Sequence, residues 1–166
     1  MDCSCFQRLA RYNGWANRRL YESCGSLSSK DYFQARPSFF GSIHRTLNHL
    51  LAADRIWLGR FQGVPHGVAA LDQELCRDFT TLRAARVAED ERILAYAGGL
   101  RPPQLDADLE YRNSAGEARR VPMRWALAHF FNHQTHHRGQ AHGLLSATPV
   151  PPPPLDLLYF LPEDPR

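Results

Sequence analysis

The chain has 166 residues, 43% of them apolar and 22% charged, which suffices for one domain, residues 1–166, built around a hydrophobic core. Its formal charge of +3 arises from 20 basic and 17 acidic residues dispersed along the sequence; with no block of Lys or Arg to mark a nucleic-acid or anionic-membrane surface, neither partner is expected. Cys3, Cys5, Cys24 and Cys76 have neither the density nor the spacing of a disulfide framework. The N-terminus lacks a signal-like apolar stretch and no apolar run reaches transmembrane length, so a cytoplasmic location is expected.

Four segments carry a helical period. The first runs from about Cys5 to Ser23, with Phe6, Leu9, Ala10, Asn13, Ala16, Leu20 and Tyr21 on one stripe, and stops at Gly25. In the second, Ser42 is a plausible N-cap, and the period continues through Ile43, Leu47, Leu50, Leu51, Trp57 and Leu58 to about Phe61. The third is expected to begin near Leu71 or Asp72 and to end at Gly98-Gly99. Between residues 105 and 121 the period changes to two, predicting a hairpin with its turn at Gly116. Pro122 then opens a fourth helix from about Met123 to Ser146. Five prolines between 149 and 154 enforce an extended tail before the apolar LDLLYFL. The pattern predicts an all-α four-helix bundle with short connections, a small β-hairpin inserted between helices three and four, and an extended Pro-rich C-terminal tail.

The fourth helix contains the stretch FFNHQTHHRGQ. At about 100° per residue, His137 falls within roughly 40° of the core direction set by Leu127, Phe130, Phe131, Ala141 and Leu145, with His133 about 40° further round on the same side. His129 and His136 turn toward water. Two imidazoles at i and i+4 can converge on one divalent ion while the helix stays intact. An HxxxH pair is a weak signal alone, and a solvated histidine patch satisfies the same spacing. A third ligand has to come from another helix, and helix two offers His44 and His49; the wheel places His44 on the more polar side and leans slightly to His49. Asp54 points about 140° away from His49, which suits orienting another group or pairing with an Arg better than binding the ion. Arg138 is placed to pair with Asp54, Gln140 to fix the His133 tautomer or touch substrate, and Gly139 suggests close approach of another helix.

RYNGWANRRLY at 11–21, SIHRTLNHLLAADRIWLGRF at 42–61 and NHQTHHRGQAHGLL at 132–145 together resemble the successive signatures of the DinB family, in the DinB/YfiT-like metalloenzyme superfamily, over essentially the whole chain. The resemblance implies a four-helix bundle, often a homodimer, with a divalent metal, zinc or nickel, held by one His of helix two and two of the last helix. By motif position these are His49, His133 and His137. It further implies a small-molecule substrate and, from superfamily members that resemble thiol-dependent transferases and isomerases, a low-molecular-weight thiol such as bacillithiol or mycothiol. Two functions follow as expectations: an enzyme activating a thiol or water toward a small electrophile, as a thiol transferase or a hydrolase, or a non-catalytic metal-binding stress-response protein.

Overall fold

A computed structural model describes residues 1–164. The four expected helices are α1 (Cys3–Gly25), α3 (Ile43–Gln62), α4 (Phe79–Gly99) and α6 (Met123–Leu145), with short helices α2 (Ser29–Phe33) and α5 (Pro102–Asp106) in two of the connections. Strands β1 (Asp108–Arg112) and β2 (Ala118–Pro122) form the antiparallel hairpin in the expected place, Leu109 opposite Val121 and Tyr111 opposite Arg119. Helix α7 (Leu157–Phe160) and a 3₁₀ turn (Leu161–Glu163) end the described chain. Ser42 caps α3 by accepting from the Arg45 N–H, and Gly63 ends it in the left-handed region at φ 66°.

Around the bundle each long helix touches two others: α1 packs on α4 and α6, and α3 packs on α6 and α4. Two apolar clusters fill the core at opposite ends. One gathers Phe6, Leu58, Ile93, Leu127, Phe130 and Phe131; the other gathers Leu20, Leu47, Leu51, Leu82 and Leu145. Following each helix from one cluster to the other gives its direction. Helices α1 and α6 run one way and α3 and α4 the other, so the consecutive pair α3 and α4 is parallel.

That parallel pairing corrects the reading of the third helix. The chain leaving α3 must return along a helix of 20 residues, about 30 Å, before α4 can start beside it. Had the helix begun at Leu71, residues 63–70 would have had to span this distance with at most about 26–29 Å of fully extended chain. The helix instead begins at Phe79, where the Asp78 carboxylate accepts from the Thr81 N–H, and residues 63–78 form a strap laid back along α3. Its course is marked by contacts down the helix: His66 against Gly59, Val68 against Ala52 and Ile56, Leu71 at His49, and Cys76 at Asn48. The expectation of uniformly short connections therefore fails at this joint.

The proline-rich tail is extended up to α7, as expected, and it packs on its own protein. Phe160 is buried against Tyr12 and Trp15, the Tyr12 hydroxyl donates to the Leu155 carbonyl at 2.7 Å, and Asp164 pairs with Arg8 and Arg11.

Candidate metal centre

His49 projects from the middle of α3, and His133 and His137 lie one turn apart on α6, which packs against it. One ring nitrogen from each of the three lies within 4.8 Å of the others. The ring centroids are 4.4 Å apart for His49 and His137, 4.3 Å for His133 and His137, and 5.4 Å for His49 and His133.

Neighbouring groups fix which nitrogen of His49 and of His137 is left to bind. The carbonyl of Leu71, brought there by the strap, accepts from His49 Nδ1 at 2.9 Å, because a carbonyl can only accept. Nδ1 therefore carries the proton and Nε2 presents its lone pair; that nitrogen is buried and has no hydrogen-bond partner among the described residues. In the same way Gln140 Oε1 meets His137 Nδ1 at 2.8 Å, leaving Nε2 of that ring free. A carbonyl behind each imidazole is the arrangement that orients metal-ligating histidines. Gln140 thus serves His137, not His133 as expected from the wheel.

Charge is kept off these rings. Burial holds all three below the ordinary imidazole range, and His133, which also faces the charge His137, His49, His129 and His136 would carry if protonated, is pushed down to about 3. The Leu71 carbonyl and Gln140 oppose the fall at His49 and His137. Neutral imidazole is the ligand form, so the donor set suits a divalent cation at neutral pH.

His44 differs from the expectation of a polar-side residue. It is buried, and both ring nitrogens are engaged, Nδ1 with the Tyr32 hydroxyl at 3.0 Å and Nε2 with Glu74 at 3.2 Å. This occupancy separates it from His49 more sharply than any wheel position could. His136 is exposed, as expected, its Nε2 3.3 Å from the Gln140 amide nitrogen. His129 is also exposed, yet its ring lies against Trp57 at 5.0 Å and 5.8 Å from that of His133.

Asp54 is fully buried and pairs with an Arg, but with Arg86 of α4 at 2.5 Å rather than with Arg138. Arg86 also reaches Asp90, one turn further along α4, at 2.9 Å. Asn17 and Asn13 of α1 bridge the remainder: their amide nitrogens donate to Asp90 and their oxygens accept from Arg138 at 3.0 and 2.6 Å. Arg138 is covered by the Tyr12 ring, its guanidinium carbon 5.3 Å from the ring centroid. Two carboxylates and two guanidiniums are thereby matched inside the bundle, and the chain of contacts ends at the residue following His137.

Sequence reasoning missed two features of the site. The first is Phe40, from the loop before α3, whose ring stacks on His49 at 4.2 Å and meets His137 edge-on at 5.4 Å. The only hint was a Phe-Phe pair in a segment punctuated by Pro37 and Gly41, where no helix or strand period required it. The second is the strap, since no local pattern announces that Leu71 will lend its carbonyl to His49. A cleft of about 450 Å³ between α1 and α4, lined by Gly14, Asn17, Arg83, Arg86, Val87 and Leu94 among others, touches none of the three histidines.

The DinB family model matches residues 1–165. The chain belongs to the DinB family. It is similar to Protein DinB of Bacillus subtilis (strain 168), with 26% identity over 160 residues, 93% of this chain and 92% of that protein. Family membership and the three-histidine cluster together fit a metal-dependent DinB-like protein. No helix among the described residues is long and apolar enough to cross a membrane.

Proposed function

We propose that His49, His133 and His137 hold a divalent cation, zinc or nickel, and that the protein is an enzyme acting on a small electrophilic substrate with a thiol or water as co-reactant. The observation that carries this reading is the buried, unpartnered Nε2 of His49 beside two further neutral imidazoles, with Leu71 and Gln140 fixing the tautomers of His49 and His137. An ion held by three imidazoles keeps at least one position open and supplies Lewis acidity there, lowering the pKa of a thiol or water brought to it. A structural zinc site takes four protein ligands, which weighs against the alternative of a non-catalytic metal-binding stress-response protein.

The chain's own residues set the surroundings. Phe40 covers His49 and His137 and keeps water from that side. Arg138, tied to Asn13 and Asn17, holds the turn of α6 that carries His137, and Gln140 holds the His137 ring. The family resemblance adds a low-molecular-weight thiol such as bacillithiol or mycothiol as co-reactant, a homodimer and a cytoplasmic setting.

Elemental analysis of protein purified without a nickel column is the direct test. About one equivalent of metal is expected in the wild type and a small fraction of that in His133→Ala and His137→Ala; unchanged content in both variants would overturn the assignment. A thiol panel offered an electrophile such as an epoxide or chlorinated arene is expected to give metal-dependent turnover with one thiol. Metal that binds without turnover of any thiol or hydrolysable substrate, but raises the melting temperature strongly, would instead favour the non-catalytic reading.

A further inference from the structure

A second cleft opens on the α6 side of the histidine cluster, of about 210 Å³ and lined by Trp57, Tyr111, Val121, Trp125, Ala126 and His129. It is built from three elements: Trp57 from α3, Tyr111 of β1 and Val121 of β2 from diagonal positions on the hairpin, and Trp125, Ala126 and His129 from the first two turns of α6. Trp125 is 70% exposed although it is the largest side-chain type available. Trp57 and Tyr111 face each other at 5.4 Å between ring centroids. The cleft adjoins the metal centre through His129, whose ring lies 5.0 Å from Trp57 and 5.8 Å from His133.

The charge beside this cleft is not balanced. The guanidinium carbon of Arg60 lies 4.5 Å from the Tyr111 ring centroid and 4.7 Å from that of Trp57. Among the described residues Arg60 makes no ion pair, and its side-chain hydrogen bond goes to the Arg112 carbonyl at 3.4 Å. No carboxylate lines the cleft. A half-buried cation held between π faces, next to an apolar slot free of negative charge, repels cationic ligands and is completed by an anion.

We propose that this cleft is the substrate subsite and takes a single aromatic ring bearing an anionic group, the ring stacked on Trp125 and Trp57 and the anion turned toward Arg60. A cavity of about 150 Å³ accommodates benzene, so a cleft of about 210 Å³ has room for one ring with a carboxylate-sized substituent. Stacking supplies affinity beyond area alone because aromatic pairs prefer offset or edge contacts of the kind these rings already make. The proposal deepens the functional reading above by naming the substrate class, and it rests on that reading only for the cluster as the reacting centre.

The test uses benzoate as probe, with benzamide and cyclohexanecarboxylate as controls, on full-length protein labelled with 5-fluorotryptophan. The three tryptophans, 15, 57 and 125, give three fluorine signals. Trp15 is buried with Tyr12 and Phe160 at the tail and serves as the internal reference. Benzoate is expected to shift the Trp57 and Trp125 signals and leave Trp15 still, with binding at least fivefold tighter than either control. Trp125→Ala, a change at an exposed position, is expected to weaken benzoate at least fivefold, and Arg60→Gln to abolish the preference for benzoate over benzamide. The same titration on His133→Ala separates the two proposals: benzoate binding retained in that variant supports the subsite whatever the metal content proves to be. Binding lost in His133→Ala but unchanged in Trp125→Ala would place the carboxylate at the histidines and overturn the subsite. Equal binding of benzoate and cyclohexanecarboxylate, or no binding, would overturn it as well.

Discussion

Single residues in the last long helix show how far local pattern can mislead. Gly139 sits in the interior of α6, where a glycine costs up to about 1 kcal/mol relative to alanine. A glycine there suggests a neighbouring helix in close approach, but the position is exposed and a Cβ built on it meets open space. Gly139→Ala is therefore expected to raise stability by about 0.5–1 kcal/mol in chemical denaturation. Gly59 of α3 is the opposite case. A Cβ there would lie 2.9 Å from the His66 Cβ and 2.9 Å from the Val64 carbonyl oxygen, where the strap turns back against the helix. Gly59→Ala has to displace backbone, and a loss of about 1–3 kcal/mol is expected by the same measurement. Two helical glycines of identical sequence signal thus differ in sign, and only the path of the strap distinguishes them. If both variants shifted stability in the same direction, the close approach of the strap to α3 would not be the reason for the glycine.

Helices α1 and α3 were legible in the sequence because each is amphipathic over many turns, and start or stop signals at Ser42, Gly63 and Pro122 mark the bounds of α3 and the opening of α6. The pair on α6 was legible because its i, i+4 spacing is fixed by helix geometry alone. What was not legible depends on direction and crossover. The apolar positions Leu71 and Leu75 imitate the start of α4, but they belong to the strap, where Leu75 packs against the α3 side of the core. Asn48 pins that segment through both ends of its amide, accepting from the Cys76 N–H at 2.9 Å and donating to the Cys76 carbonyl at 3.1 Å. Asn48→Leu removes both bonds from a buried position. The expected result is a loss of about 2 kcal/mol or more, together with weaker metal retention, because the strap also carries the Leu71 carbonyl that orients His49. A loss of stability with metal affinity intact would show that the strap does not tune the site.

At the scale of the molecule the core is two apolar halves separated by a polar layer, to which every long helix contributes at mid-length: Asn13 and Asn17, His49 and Asp54, Arg86 and Asp90, and Gln134 and Arg138. Buried charges of this kind are retained only when matched, and removing one partner costs roughly 3–5 kcal/mol. Arg86 is the hub, shared by Asp54 and Asp90. Burial pushes the carboxyl of Asp54 up to about 7 against the pull of Arg86, and it raises Asp90 as well. A carboxyl whose folded pKa lies above its unfolded value keeps its proton in the native state after the unfolded chain has lost it. Its contribution to stability is complete below about pH 4 and is lost as pH rises through 7. Asp54→Asn cannot ionise, and the surface carboxylates cancel between the two proteins, so the difference reports Asp54 together with its coupling to Asp90 through their shared Arg86. With chelator present throughout to remove the pH dependence of metal binding, the stability of the wild type relative to Asp54→Asn is expected to fall between about pH 4 and 7 and to level off above 8. A difference that is flat or rises over that range would mean that Arg86 holds Asp54 ionised against burial, and that the polar layer is a fully charged network rather than one carrying a proton at neutral pH.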